Sequence, residues 1–198
     1  MKQFKLRASA AGTLVPNGKG SLISVGGKTY LKEWVISQIF GVEKQIKSKY
    51  IDKGVIMEDE AINFAVNMLD IQFALKNETR FEDDYFTGEP DMILDDCIID
   101  IKNSWDCFTF PLFETEIPNS DYFYQLQVYM HLTGKRKATL VYVLLDVPAT
   151  NWDAGIIYDV DDKYRIKTFD VQYDSAVIEL LINKVIEARQ YISTLLNT

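Results

Sequence analysis

The sequence predicts a mixed α/β domain in which a central β-sheet is flanked by helices. Three observations lead there. Stretches with helical periodicity alternate along the chain with runs of β-branched and aromatic residues. Two such runs, around Asp95-Asp96, have the form of a hairpin. The run Ala138-Thr139-Leu140-Val141-Tyr142-Val143-Leu144-Leu145 is apolar almost throughout and of strand length, as a buried central strand requires. At 198 residues the chain is expected to form one domain, 1–198, long enough to bury a proper core.

Taken in order, Lys5 to Gly12 leads into a Gly-rich stretch, Pro16-Asn17-Gly18-Lys19-Gly20. Gly26-Gly27 reads as a second break, and Lys28 to Ile39 as a helix carrying Tyr30, Leu31, Trp34 and Val35, closed by Gly41. A further helix is expected from about Gly54 to Leu75. There Glu58, Ala61, Ile62, Ala65 and Leu69 recur at three- and four-residue spacing and share one face, so an acid heads an apolar stripe. The runs Tyr85–Leu94 and Cys97–Asn103 form the hairpin. A polar loop around Pro111 and Pro118 precedes a short helix, Asp121 to Leu132, with Asn119 or Ser120 as N-cap and Gly134 as its stop. Beyond the apolar strand, Ile156–Val160 and Tyr164–Val171 around Asp161-Asp162 read as a second hairpin. The last helix, about Ser175 to Leu196, should bury Val177, Leu180, Leu181, Val185, Ala188, Ile192 and Leu195.

Composition narrows the chemistry. A hydrophobic share of 47% with 25% charged residues is that of an average soluble protein. No apolar run approaches the roughly 18–20 residues of a membrane helix, and Met1-Lys2-Gln3-Phe4-Lys5 lacks the apolar stretch of a secretory signal, so a cytoplasmic protein with no membrane partner is expected. Two cysteines, Cys97 and Cys107, are too few for a disulfide framework or, unaided, for a zinc or iron–sulfur site. The single histidine, His131, sits in an apolar helical stretch that suits packing, which sets histidine-based zinc hydrolysis aside. A net charge of −8 argues mildly against nonspecific coating of nucleic acid, though not against an enzyme with a local basic groove.

The hairpin can be registered by arithmetic. With Asp95-Asp96 as the turn, Leu94 faces Cys97, Ile93 faces Ile98 and Met92 faces Ile99, which sets Asp91 opposite Asp100. Cross-strand Cβ atoms lie about 4.5–5.5 Å apart, a separation at which two carboxylates can share one hard cation. Lys102 projects on the same side as Asp100, one step of about 6–7 Å along the strand. One reading of this set is an ordinary salt bridge on a solvated sheet face. The other is a site, because buried charges among Ile93, Ile98, Ile99 and Ile101 are costly unless paired or metal-bound. Such a set suits phosphodiester hydrolysis: carboxylates hold divalent cations, and a lysine orients or deprotonates water and offsets developing charge. Glu58, from its helix, would complete an oxygen-ligand site favouring Mg²⁺ or Mn²⁺ over zinc.

At these residues the chain resembles the PD-(D/E)XK nuclease superfamily, and within it the phage lambda-type exonucleases. Gly54-Val55-Ile56-Met57-Glu58-Asp59-Glu60-Ala61 is similar to the family's G-x-x-x-E-x-x-A helix start and selects Glu58 over Glu60. Glu89-Pro90-Asp91 is similar to the motif of the first metal aspartate. Asp100-Ile101-Lys102 is similar to (D/E)-x-K, with Asp where these enzymes usually have Glu. Tyr122-Phe123-Tyr124-Gln125-Leu126-Gln127 resembles the Y-x-x-Q-x-Q helix. Arg7-Ala8-Ser9 resembles, more weakly, the segment that grips a terminal 5′-phosphate.

The resemblance implies a restriction-endonuclease-like core and catalytic roles for Lys102, Glu58, Asp91, Asp100 and Gln125. It implies Mg²⁺, with Mn²⁺ as substitute, on Asp91, Asp100, Glu58 and the carbonyl of Ile101, and substrate contacts from Arg7, Ser9 and Tyr122. Trp105 follows Asn103-Ser104, where many relatives carry a Cys-Pro or similar pair; it either stacks on a base or packs. The implied activity is 5′-to-3′ exonuclease action on linear duplex DNA ends in phage-type recombination. A ring-shaped homo-oligomer and a single-strand annealing protein are the implied partners. A structure-specific or repair endonuclease, and a non-catalytic DNA-binding descendant, are the alternatives. The clusters Lys44/Lys47/Lys49/Lys53 and Lys135-Arg136-Lys137 are either phosphate-tracking or simply solvated.

Overall fold

The computed structural model describes residues 1–16, 22–44, 57–71, 75–147 and 155–197. Among them the strands form two mixed sheets. β1 (Leu6–Arg7) runs parallel to β3 (Phe86–Gly88), and β2 (Phe81–Glu82) runs antiparallel to it, in the order β1-β3-β2. The second sheet has the order β4-β5-β6-β7, with β4 (Met92–Ile93), β5 (Cys97–Asn103), β6 (Lys137–Val143) and β7 (Ile166–Gln172). Only the central β5–β6 pair is parallel; both flanking pairs are antiparallel.

The hairpin register is the one that the turn dictates: Met92 pairs with Ile99, Ile93 with Ile98, and Leu94 N–H donates to Cys97 O at 2.8 Å. The run Tyr85–Leu94 is nevertheless not one strand. It changes sheets at Glu89-Pro90, where proline offers no N–H to a ladder. The second expected hairpin does not form. Ile156 makes a single bridge to Val147, Asp161 caps a 3-10 turn over Asp162–Tyr164, and β7 pairs with β6 instead.

Side-chain alternation on the second sheet divides the interior. Ile98, Ala138, Leu140, Tyr142, Phe169 and Val171 face the larger core, shared with α1 (Val25–Phe40), α3 (Ser120–Thr133), α4 (Ser175–Leu196) and the N-terminal residues. On the opposite face, Met92, Ile99, Val141 and Val143 pack on Ala61, Ile62 and Ala65 of α2 (Glu58–Met68). The sheet thus separates α2 from α3.

Caps fix where the helices begin and end. Ser24 Oγ accepts from Gly27 N–H at 2.7 Å and starts α1, which stops at Gly41 with φ 66°. Gly26-Gly27 therefore lies inside the first turn rather than before it. A Cβ on Gly27 would stand 2.7 Å from Ile23 Cγ2 and 3.0 Å from the Thr13 carbonyl, so only glycine lets the turn pack so closely. Asn119 caps α3 through Asp121 N–H, and Asp174 caps α4 through Ala176 N–H. α4 buries Ile178, Leu181, Val185, Ala188 and Ile192; Leu180, expected inside, falls off that stripe and is 39% exposed. α2 ends at Met68, short of Leu75, because Asp70 takes a left-handed φ of 49° and Lys76 then pairs with Met92. Residues 54–56 and 72–74 of the expected helix and 17–20 of the Gly-rich stretch lie outside the described residues.

Candidate active site

The site lies where β4 stops and β5 continues. Past Ile99, β5 has no strand partner on the β4 side among the described residues. The Asp91 carboxylate takes that place: its Oδ2 accepts from Ile101 N–H at 2.6 Å. In strand geometry a residue's N–H and C=O share an edge, so the Ile101 carbonyl faces the same gap.

Asp100, one residue earlier, projects onto the α3 face and is only 1% exposed. Lys102 Nζ stands 2.7 Å from Asp100 Oδ2. The contact is an ion pair without hydrogen-bond alignment, which leaves that buried oxygen with no aligned donor. α3 supplies the rest of the wall. Gln125 Nε2 donates to Tyr129 Oη at 2.8 Å and, at a long 3.4 Å, to Asp100 Oδ1. The Lys102 ammonium lies 4.9 Å from the centre of the Tyr122 ring, a cation–π contact.

Burial and the adjacent Asp100 carboxylate push the Asp91 carboxyl up to about 7, against the pull of Lys102 and the Ile101 N–H. Burial disfavours the Lys102 ammonium. The Asp100 and Asp91 carboxylates outweigh it, and the Lys102 pKa rises above the ordinary lysine value. The Tyr129 hydroxyl is pushed well up by burial and by Asp100, so it stays a neutral donor.

Glu58 behaves differently. It heads α2, where it and Asp59 and Glu60 favour the positive end of the helix dipole. That helix packs on the sheet face opposite α3. Lys76 Nζ stands 3.1 Å from Glu58 Oε1 and 3.1 Å from Asp59 Oδ1. The structure thus joins Lys102 and Gln125 to Asp100, while Asp91 is bonded to Ile101 N–H and meets Asp100, Lys102 and Glu58 through their fields. Among the described residues no three His, Cys, Asp or Glu side chains close into a ligand set. The expected cluster of three carboxylates is therefore a pair, with the third acid drawn aside by a lysine.

The donors still fit a hard divalent cation. Buried Asp100 is paired with the Lys102 ammonium yet its Oδ2 lacks an aligned donor, half-buried Asp91 lies within the field of both, and the carbonyl of Ile101 faces the gap. All are oxygens, and Mg²⁺ is commonly held by one or two carboxylates plus water and phosphate.

Arg7 and Ser9 line a pocket of about 130 Å³ together with Arg80, Thr87, Gly88 and Tyr129. Tyr129 connects it to Gln125 and so to Asp100. A Cβ on Gly88 would stand 2.7 Å from Tyr129 Cε1, so glycine is what lets that ring sit there. Arg80 is paired with Glu89 at 3.1 Å. Half-buried Trp105 lies just past the end of β5. Sequence reasoning missed Tyr129, Arg80 and Lys76. Tyr129 was recoverable, four residues after Gln125 on the same helical face, whereas the two cations carry no motif. Gln127 turns away from the site: its Nε2 donates to Gln172 O and its Oε1 accepts from Asp174 N–H, each at 2.8 Å. His131 contacts Asp83 Oδ2 at 3.0 Å and packs edge-on to Phe86.

No helix among the described residues is long and apolar enough to cross a membrane. Neither a protein-family model nor a curated protein matches the sequence significantly. Solved structures do. A phage-related exonuclease from Haemophilus somnus 129PT superposes with a TM-score of 0.86 at 24% identity, covering 99% of this chain and 96% of that one. An alkaline exonuclease from Laribacter hongkongensis gives a TM-score of 0.71 at 17% identity, over 98% of this chain and 92% of that one. The same exonuclease in complex with dAMP gives 0.71 at 18%, over 96% and 91%. Across nearly its whole length, the chain has the fold of these exonucleases.

Proposed function

We propose that this protein is a Mg²⁺-dependent deoxyribonuclease of the lambda-type PD-(D/E)XK family, which removes nucleotides from the 5′ ends of linear duplex DNA. The observation that carries this reading is Asp91 bonded to Ile101 at the free edge of β5, beside Asp100 with its Lys102 and Gln125 contacts, on a fold shared with exonucleases. The dAMP complex of the Laribacter protein supports a nucleic-acid substrate.

Asp91, Asp100, the Ile101 carbonyl and Glu58 are the residues that would hold Mg²⁺, or Mn²⁺ in its place. The chemistry such an ion supplies when bound is polarisation of the phosphodiester and neutralisation of its charge. Lys102, held protonated by its carboxylate neighbours, offsets negative charge gathering on the phosphate and orients water by donation; in this pairing it is no base at neutral pH. Gln125, fixed by Tyr129, presents an amide to the same space. The Arg7–Ser9 pocket suits a terminal phosphate: it is small, reaches Tyr129, and carries the Arg7 guanidinium beside that of Arg80, which is paired with the Glu89 carboxylate of the same lining. Trp105 and Tyr122 are candidate contacts for the terminal nucleotide.

Digestion of end-labelled linear duplexes, with and without a 5′-phosphate and beside a closed circle, tests the reading. Release from 5′ ends, faster with the phosphate, with the circle left intact, is expected. Nicking of the circle would instead assign an endonuclease, and no release with either Mg²⁺ or Mn²⁺ a binding module. A ring-shaped oligomer and a single-strand annealing partner belong to the same family reading; light scattering checks the first.

A further inference from the structure

We propose that Lys76 is a placeholder cation of this site, whose ammonium must yield Glu58 before that carboxylate can join a divalent ion. The proposal rests on the metal-dependent reading above. The position of Lys76 is built. Its backbone bridges Met92 of β4, and the next residue locks the segment against the site: Asn77 N–H donates to Asp91 O at 2.8 Å, and Asn77 Nδ2 donates to Pro90 O at 2.9 Å. The Lys76 stem is thereby held on the Met92 face of the sheet, where α2 packs, and its Nζ spans Glu58 and Asp59 at 3.1 Å each.

The pair is also exchangeable. The Lys76 and Glu58 side chains are 40% and 43% exposed, so the ammonium can swing into water without stranding a buried charge. Lys102 differs: it is 23% exposed and sits against a carboxylate that is 1% exposed. Two ammonium groups with unequal freedom thus attend three carboxylates. Lys102 stays with Asp100, and Lys76 stays with Glu58, competing with an ion for it.

Removing the charge at Lys76 should tighten divalent binding, because one competitor for Glu58 and one repulsive charge disappear. The expected gain is roughly 3- to 10-fold in affinity. Isothermal titration of Mn²⁺ into the full chain checks this without any turnover. Lys76→Met should bind Mn²⁺ more tightly than wild type, and Lys76→Arg, which keeps the charge, no more tightly. Glu58→Gln should erase the gain in the double variant. Asp100→Asn should abolish binding in every background. If Lys76→Met binds no better while Asp100→Asn still abolishes binding, the placeholder role is overturned and the metal site stands. Absence of any Asp100-dependent Mn²⁺ binding by wild type overturns both.

Discussion

At Asp91, burial and the Asp100 carboxylate act in the same direction, and the folded chain raises the group to about 7 from an ordinary 3.8. An acid raised on folding binds more protons when folded than when unfolded, so stability falls as pH rises between those two values. The metal-free wild type should therefore lose melting temperature between about pH 4 and pH 7. Asp91→Asn, which still offers Ile101 an acceptor oxygen, should lose less over that range. Matching curves for the two in scanning calorimetry would contradict the burial of this carboxylate. At Lys102 the expected effect is on turnover. Lys102→Ala should reduce kcat by about 10²–10³, the usual cost of losing one preorganised charge-stabilising donor, with the circular dichroism spectrum unchanged.

Two glutamines of one helix separate function from architecture at the scale of elements. Gln125 faces Asp100, and Gln127 ties the end of β7 to the start of α4. Gln127→Ala should cost about 1–3 kcal/mol in urea unfolding, because it removes two hydrogen bonds made by a fully buried side chain, to Gln172 O and from Asp174 N–H, with kcat close to wild type. Gln125→Ala should show the reverse pattern, and equal losses of stability would remove the distinction. The same scale shows what could be read from the chain alone. The β4–β5 register was legible because a two-residue turn fixes it locally, and with it the placement of Asp91, Asp100 and Lys102. The three-stranded sheet was not, since the parallel pairing of Leu6 with Phe86 joins residues far apart in the chain and leaves no local pattern. Pro90 marks the change of sheet, but nothing in sequence says which sheet each half joins. Glu58 was correctly set at a helix start, whereas its pairing with Lys76 depends on how the chain returns past Asp70.

For the whole molecule, the proposed function sets a net charge of −8 against a polyanionic substrate, so attraction must come from local cations. Two members of the Lys135-Arg136-Lys137 cluster are tied to local partners. Lys135 Nζ donates to Asp95 O at 2.8 Å, and the Arg136 guanidinium lies 4.3 Å from the centre of the Tyr173 ring. Neutralising the three should leave the salt dependence of DNA binding unchanged, whereas Arg7→Ala should reduce its slope by about one unit, the contribution of one phosphate contact. Lys44 is likewise engaged, with Glu33, and Lys47, Lys49 and Lys53 lie outside the described residues. The measurement that bears most directly on the account is nucleotide release from a 5′-phosphorylated linear duplex in Mg²⁺, with wild type and Asp100→Asn run side by side. Steady release by wild type and none by the variant is expected. Equal release by both would mean that the chemistry resides elsewhere on this fold.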